Sequence, residues 1–393
     1  MESGNKRKLL FVVRRMNVGG VQKSLLSVLN VLDYERFDVT LYVREDKCEL
    51  LPKVDPRVIR VIVNRDRTRY YRKPYAVFLY VLLKITSVLG VGGEKVKAEL
   101  DRYVIEGRMR YEYRQYFSDG PRYDIAVSYF QGYTAKFVEK YVTAERKIVF
   151  YHGSVDERHA LHEEVFPAFD RIVAVNAGCR DVLRSLYPDA ADKICYIENC
   201  VDAGRIRSEA KLYDVNRPEG ITVLCTCGRF SPEKGFDLAL EAAKTLKENG
   251  VSFLWYFVGD GPDRIMLEKK RAELGLNDDI VFTGLSDNPY PYIDCCDIYV
   301  QPSREESYGL AIAEAQILGK PVVTTATVGG KSLVSDGKNG LIARVSAESL
   351  AEKISDLIEN RDLYVKAEAY LRQTDYKRRE DTFRTSWDEL LHF

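Results

Sequence analysis

The chain has 393 residues, 46% hydrophobic and 30% charged. This composition is typical of a globular protein and excludes a disordered or low-complexity chain, and the length predicts two domains rather than one core. Lys plus Arg equals Asp plus Glu at 59 each, but residues 1–200 carry 34 basic and 27 acidic side chains against 25 and 32 in the remainder. The halves therefore have opposite net charge, and the overall charge does not point to a nucleic-acid partner.

The N-terminus and the cysteines favour a cytoplasmic protein. "MESGNKRKLLFVV" is charged and then enters a short apolar run, unlike a secretory signal. The eight cysteines form no C-x-x-C motif, and most lie in apolar runs typical of buried, reduced thiols. The longest apolar run, "YAVFLYVLLKITSVLGVGG", is interrupted by Lys84 and is too short on either side to span a bilayer.

Short apolar runs alternate with stretches of helical spacing along the whole chain, which predicts parallel sheets with crossover helices. The first series is "LLFVV", "DVTLYV", "RVIRVIV", "DIAVSY", "KIVFY" and "RIVAV", and the second is "ITVLCTCGR", "FLWYFVGDG", "DIVFTG", "DIYVQPS" and "KPVVTT". A polar stretch, "YIENCVDAGRIRSEAKLYDVNRPEG", separates them. The fold class predicted is therefore α/β, with two Rossmann-like, doubly wound domains.

The first turn of interest follows the first predicted strand. Gly19 and Gly20 open an amphipathic helix, and two glycines at a helix N-terminus let backbone amides approach an anion. The third glycine of the dinucleotide fingerprint is missing, so a plain tight turn is an equally good interpretation.

A basic segment follows further along the first half. Seven basic residues lie between Arg57 and Lys73, opposed only by Asp66, and the apolar stretch "PYAVFLYVLL" comes next. This pattern favours contact of residues 57 to 90 with an anionic membrane surface, on the inner face of the cytoplasmic membrane. A solvated loop leading to a core-facing helix is an equally good alternative, and nucleic acid is disfavoured because no recognition motif accompanies the charge.

His152 lies directly after the predicted strand "KIVFY" and before Gly153. A side chain at the carboxyl end of a parallel strand can reach a ligand. A capping role at the edge of the core is the alternative.

Two turns in the second half suit a diphosphate. Arg229 and Lys234 follow a strand and precede a helix, and a guanidinium and an ammonium at this edge both bind phosphate. In "PSREESYGLAIAEAQILGKPVVTT", Glu306 precedes a helix whose free amides face the same edge, and Glu314 lies on that helix. Carboxylates would repel a phosphate but can accept hydrogen bonds from sugar hydroxyls.

Together these motifs carry a resemblance. The spacing Glu306-x7-Glu314, "GRFSPEKG", "FVGDGPDR", "VFTG" and "GKPVVTTATVGGKSLVSDGKNGLI" occur in the order found in family 4 of the retaining, nucleotide-sugar-dependent glycosyltransferases. The likeness covers most of residues 220 to 345 and is looser in the first half, through "NVGGVQ", "YHG", "FDRIVAVNAG" and "IENCVD". Members of this type serve bacterial capsule, exopolysaccharide and lipopolysaccharide synthesis.

The resemblance implies the GT-B fold. Residues 1–198 would form an acceptor-binding Rossmann-like domain and residues 199–375 a nucleotide-sugar-binding one. Residues 376–393 would form a helix that returns to the first domain.

The resemblance also implies residue roles. Arg229 and Lys234 match the pair that holds the donor diphosphate, and Glu306 matches the acid near the transferred sugar. Glu314 matches the acid that binds the donor ribose. His152 would face the sugar or the reacting centre.

Three further positions match groups around the distal phosphate. Gly309 and Leu310 lie where backbone amides meet this phosphate, and Gly20, preceded by Gly19, would close over it from the first domain. The resemblance thus predicts transfer of a hexose or N-acetylhexosamine from a nucleotide diphosphate sugar, with UDP favoured, to a glycan or lipid-linked glycan.

The sequence contains no D-x-D motif. No dedicated metal site and no cofactor are therefore expected, with Arg229, Lys234 and helix N-termini taking the place of a cation. The anomeric configuration could be retained in two ways. Either a carboxylate acts as nucleophile, or the acceptor attacks on the same face from which the phosphate leaves. The resemblance favours the second.

Two other classes of function remain compatible with parts of the sequence. A nicotinamide-dependent oxidoreductase would use the first Rossmann-like half, but its fingerprint glycine is missing. A catalytically silent nucleotide-sugar-binding protein would be expected to lose Glu306, Arg229 or Lys234, and the chain has all three.

Overall fold

Two parallel sheets organise the chain in the computed structural model, which describes residues 6–46, 48–65, 74, 81, 93–153 and 159–392. Within these residues the first sheet has the strand order β3-β2-β1-β4-β5-β6-β7 and the second has the order β10-β9-β8-β11-β12-β13. The first contains β1 (Arg7–Val13), β2 (Phe37–Val43), β3 (Arg60–Val63), β4 (Tyr123–Ser128), β5 (Ala144–Tyr151), β6 (Arg171–Ala174) and β7 (Ile194–Tyr196). The second contains β8 (Thr222–Cys227), β9 (Phe253–Val258), β10 (Ile280–Gly284), β11 (Ile298–Gln301), β12 (Val322–Thr325) and β13 (Gly340–Ala343).

Helices connect these strands. They are α1 (Gly20–Val31), α2 (Gly93–Tyr116), α3 (Tyr133–Tyr141), α4 (Ala160–Val165), α5 (Ala177–Leu186), α6 (Ala203–Glu209), α7 (Phe236–Glu248), α8 (Arg264–Glu273), α9 (Tyr290–Cys295), α10 (Leu310–Ile317), α11 (Val328–Leu333), α12 (Ala347–Glu359), α13 (Arg361–Gln373) and α14 (Tyr376–His392). The predicted α/β class with two doubly wound sheets is confirmed, and each run predicted as a strand contains one.

The strand order locates the ligand crevices. In an open parallel sheet, ligands bind beyond the carboxyl ends of the strands, where the winding direction reverses. This reversal falls between β1 and β4 in the first sheet and between β8 and β11 in the second. The loops after β1, β8 and β11 are the three turns that contain the predicted glycine, cation and acid motifs.

Two segments join the sheets. The polar stretch interpreted as a connection contains α6, whose Ile206 is buried. The last helix, α14, contributes Phe383, Trp387 and Leu390 to the buried cluster of the first sheet. The Trp387 ring stacks on Phe150 of β5 with ring centroids 4.9 Å apart, so the C-terminal end of the chain is anchored in the core of the first sheet.

Among the described residues, no helix is both long and apolar enough to cross a membrane.

Candidate active site

The loops after β8 and β11 are tied together. Gly235 has a φ of 67°, in the left-handed region, and an added Cβ there would collide with the carbonyl oxygen of Pro302. Arg304 spans the same gap, donating from its two terminal nitrogens to Asp237 at 2.7 and 2.6 Å. Glycine is therefore required at position 235 for the two motifs to meet.

Lys234 and Glu306 form an ion pair between these loops. The Nζ of Lys234 lies 2.7 Å from Oε2 of Glu306, with side-chain exposures of 24% and 15%. Arg229 is exposed, and no hydrogen bond or ion pair is recorded for its side chain within the described chain. The structure thus joins Lys234 to the acid loop and leaves the Arg229 guanidinium available to an anion.

Helix α10 begins at Gly309, which has a φ of 94° and acts as its N-cap. No side chain caps this end, and the first intrahelical bond recorded is from Ala313 to the Gly309 carbonyl. The amides of the first turn, beginning with Leu310, therefore have no acceptor within the helix. Such amides, with the positive end of the helix dipole, form an anion-binding site.

Side chains from both domains bind the carboxylate of Glu314. Its side chain is 3% exposed, and its Oε1 lies 2.7 Å from Nζ of Lys23, on α1 of the first domain. The Tyr290 hydroxyl donates to the same oxygen at 3.1 Å. Burial lowers the pKa of Lys23, but the Glu314 carboxylate outweighs this and raises it above its usual value. All recorded bonds of Glu314 use Oε1, which leaves Oε2 for a hydroxyl.

Sequence reasoning missed Lys23 and Tyr290. Lys23 lies three residues after Gly20 on the same helix, so its closeness to the glycine pair could have marked it as a site residue. Its pairing with Glu314, 291 positions away, could not be predicted from the sequence.

The first domain also contacts the acid loop directly. Asn176 donates from Nδ2 to the carbonyl of Ser307 and caps α5 through Oδ1. The buried Tyr308 hydroxyl donates to the carbonyl of Asn199, in the connection directly after β7, at 2.5 Å. These bonds place the acid loop against the first sheet's ligand edge.

The glycine pair lies close to the start of α10. An added Cβ at Gly20 would lie 3.4 Å from Cδ1 of Leu310, in van der Waals contact. Gly19, the N-cap of α1, has an extended φ of 177° that any residue can adopt, and no side chain caps this helix. Gly20 thus lies at a contact between the two domains, and neither glycine is needed for a left-handed turn.

His152 lies among aromatic rings at the end of β5. Its ring centroid is 4.9 Å from that of Tyr129 and 6.0 Å from that of Phe150. Its Nε2 is buried and has no hydrogen-bond partner among the described residues, and burial lowers the pKa of His152 to about 3. The ring is thus neutral at physiological pH, and no contact between it and the second domain is recorded among the described residues.

No group of three or more His, Cys, Asp or Glu side chains within the described residues is arranged to hold a metal ion.

The second half of the chain matches a known family. Residues 209–374 match the family model described as "Glycosyl transferases group 1". A "Lipopolysaccharide core biosynthesis glycosyltransferase LpsE" from Rhizobium meliloti is 33% identical over 174 residues, 44% of this chain and 49% of the relative. An "Alpha-D-kanosaminyltransferase" from Streptomyces kanamyceticus is 26% identical over 215 residues, 53% of this chain and 54% of the relative. The chain thus matches about half the length of these curated relatives.

Solved structures match over nearly the whole chain. HepE from Anabaena in complex with UDP superposes with a TM-score of 0.68 at 17% identity, covering 98% of this chain and 99% of that one. A mutant of S. aureus TarM, in complex with fondaparinux, alpha-GlcNAc-glycerol and UDP, superposes with a TM-score of 0.69 at 14% identity. The match covers 98% of this chain and 100% of that one. These likenesses confirm the predicted GT-B fold, and the family match confirms the resemblance seen in the motifs.

The ion pair between the domains should stabilise the protein. Replacing Lys23 by Met leaves the Glu314 carboxylate buried without its cation, so we expect the free energy of unfolding to fall by roughly 3–5 kcal/mol. Urea unfolding measures it, with Lys269→Met as the control, since Lys269 is 77% exposed. The double variant K23M/E314Q should lose less than the two single variants summed; equal stability of K23M and K269M would contradict a buried pair.

His152 should make stability depend on pH. Its folded pKa of about 3 lies below its unfolded value, so the unfolded chain takes up the proton first as the pH falls. The contribution of His152 to the free energy of unfolding is complete above about pH 6.5. Below that pH it falls by roughly 1.4 kcal/mol per pH unit, so about 2 kcal/mol is lost by pH 5. The buried His162, whose pKa is lowered to about 4 by burial and by the charge of His159, adds to this dependence. Urea unfolding at pH 7 and pH 5 should show a smaller difference in H152Q than in the wild type; an unchanged difference in H152Q would refute the role of His152.

Proposed function

We propose that this GT-B protein, whose residues 209–374 match the family described as "Glycosyl transferases group 1", is a retaining glycosyltransferase. It transfers a hexose or N-acetylhexosamine from a nucleotide diphosphate sugar, with UDP as the preferred nucleotide, to a glycan or lipid-linked glycan. The observation that carries the proposal is the Lys234–Glu306 ion pair beside the uncapped start of α10, at the switch point of the second sheet.

The charge of the leaving group explains the residues on the diphosphate side. Breaking the glycosyl phosphate bond develops negative charge on the diphosphate, and preorganised donors aimed at that charge lower the barrier. Arg229 offers a guanidinium without a recorded partner, and Lys234 is already held between the loops by Glu306. The amides of α10 add donors that need no reorganisation, so the diphosphate would be stabilised by the chain's own groups without a metal.

The carboxylates would bind the neutral parts of the donor. Oε2 of Glu314 has no recorded partner and suits a ribose hydroxyl, while Oε1 stays on Lys23 and Tyr290. Glu306 would bind the transferred sugar. Because Lys234 holds Glu306, a covalent route through this carboxylate would first have to break their ion pair, which supports same-face attack by the acceptor with the leaving phosphate as base.

His152 would contribute a hydrogen bond rather than a charge. Its low pKa keeps the imidazole neutral, and its buried Nε2 lacks a partner. An unmade hydrogen bond at a buried polar atom costs about 1–3 kcal/mol. A hydroxyl of the bound sugar would restore that bond.

The acceptor is proposed from the family resemblance. One relative is named a lipopolysaccharide core biosynthesis glycosyltransferase, which supports a glycan acceptor, and we propose that the protein meets it in the cytoplasm at the membrane's inner face. Membrane contact through residues 57–90 remains part of the proposal. Arg57 already pairs with Asp55 at 2.7 Å, and residues 66–73, 75–80 and 82–90 lie outside the described chain.

A donor panel tests the proposal. Transfer or slow hydrolysis should be detected with at least one sugar among UDP-, GDP- and ADP-linked hexoses and N-acetylhexosamines, with UDP donors preferred. Because no metal is expected, EDTA should leave the rate unchanged, and NMR of the product should show retained anomeric configuration. NAD(H) should give no thermal protection where UDP does. If no nucleotide sugar is bound or turned over, the proposed function is wrong.

Removing either cation should affect the chemical step. Arg229→Ala and Lys234→Ala should each lower kcat by about 10²–10³, since a preorganised donor at a developing oxyanion contributes roughly 2.7–4 kcal/mol. Glu314→Ala should act mainly through the KM for the donor. Steady-state kinetics measure both, with Lys338→Ala, an exposed residue of the second domain, as the control. Wild-type kcat in Arg229→Ala would exclude that residue from the site.

A further inference from the structure

Two arginines share one carboxylate at the ligand edge of the first sheet. Arg14 and Arg15 directly follow β1, and Glu45 lies two residues after β2. The Nε of Arg14 donates to Oε1 of Glu45 at 3.0 Å, and the Nε of Arg15 donates to Oε2. Glu45 is 3% exposed, whereas the side chains of Arg14 and Arg15 are 56% and 30% exposed. The carboxylate is thus buried beneath two partly exposed guanidinium groups.

A neighbouring arginine shows what a purely structural pairing looks like here. Arg44 bonds Glu112 through both Nε, at 2.8 Å, and Nη2, at 2.9 Å, and its Nη1 donates to the carbonyl of Tyr133 at 2.9 Å. Every edge of that guanidinium is used, and both side chains are buried. In contrast, the hydrogen bonds that Arg14 and Arg15 make within the described residues use Nε alone, and no acceptor in that part of the chain engages their terminal nitrogens.

The charges at this carboxylate do not cancel. One cation balances Glu45, so a second guanidinium leaves a net charge of about +1 and places two like charges side by side. An anion bound by the terminal nitrogens would offset this repulsion. The exposed Asp46 lies next in the chain, but no ion pair between it and either arginine is recorded among the described residues.

The site lies next to the donor cleft. Gly19 is four residues beyond Arg15, so an extended chain of at most about 14 Å separates them. Gly20, which follows, contacts the start of α10. An acceptor with its reacting hydroxyl in the cleft can therefore place a group one or two sugar lengths away on the two arginines.

We infer that Arg14 and Arg15 form a phosphate-binding site for the acceptor, oriented by Glu45. Guanidinium groups bind phosphate oxygens in pairs, and two groups fixed by one carboxylate would hold a phosphate or diphosphate with little loss of side-chain freedom. The inference deepens the proposed function and rests on it for the identity of the acceptor. The phosphate belongs either to a soluble phosphorylated glycan or to a lipid-linked one.

Binding of pyrophosphate to the protein saturated with UDP tests the site, because UDP occupies the donor's own phosphate subsite. Calorimetry should show one saturable pyrophosphate site in the wild type, weakened about ten-fold or more in R14Q/R15Q. Unchanged affinity of R14Q/R15Q for UDP shows that this variant is folded although Glu45 has lost both arginines. The control R114Q/R122Q also removes two positive charges, from exposed positions before β4, and should bind as the wild type does. Failure of UDP itself to bind would count against the proposed function rather than this site.

Sedimentation with phosphatidylglycerol and phosphatidylcholine vesicles separates the two sources of phosphate. A lipid phosphate predicts that R14Q/R15Q binds phosphatidylglycerol vesicles at least about ten-fold more weakly than R114Q/R122Q, since both variants lose the same charge. A soluble source predicts equal vesicle binding by the two variants together with the loss of pyrophosphate binding in R14Q/R15Q alone. If the two variants behave alike in both assays, the inference is wrong, and the arginines serve only to neutralise Glu45.

Discussion

Charge balance in the cleft between the domains is the constraint on which the arrangement of the site depends. Two carboxylates stand beside the expected diphosphate position, and each is matched by one lysine, Glu306 by Lys234 and Glu314 by Lys23. A buried charge without a partner is strongly unfavourable, so these pairs fix where the loops and helices can lie. Because Lys23 belongs to the first domain and Glu314 to the second, the same constraint also holds the domains together.

The N-terminal ends of the helices differ in whether a side chain caps them. Helices α5, α12 and α13 begin with Asn176, Ser346 and Asn360, whose side chains accept a hydrogen bond from a first-turn amide. Helices α1, α7 and α10 begin with glycine and have no side-chain cap. A cap contributes about 1 kcal/mol, and at α1, α7 and α10 no described side chain takes up the first-turn amides, which leaves these amides for a ligand.

The sequence predicted the architecture well, because it depends on local patterns, and the structure places the glycine, cation and acid motifs in the loops after β1, β8 and β11. Alternation of apolar runs identifies the strands, and glycines, cations and acids after them mark one edge of the sheet. Strands β7 and β13 were not predicted, since "ICY" and "GLIA" are too short to show a period. The residues that pair with the site residues were not predicted either, because pairs such as Lys23 with Glu314 join positions that are distant in the sequence. The roles of Arg229, Glu306 and His152 remain predictions.

Under the proposed function the two domains would face different chemical demands, which would explain how similarity is distributed along the chain. Every nucleotide diphosphate donor presents the same two phosphates next to a pentose, so the loops that would bind them admit few arrangements. The family match accordingly covers residues 209–374, while structural likeness extends over nearly the whole chain at 17% identity or less. An acceptor varies in shape and charge, and the first domain can accommodate it by changing the loops after β1 and β2 without disturbing its sheet. The arginines on Glu45 lie in those loops, where a substrate-specific feature is expected and where family resemblance offers no guidance.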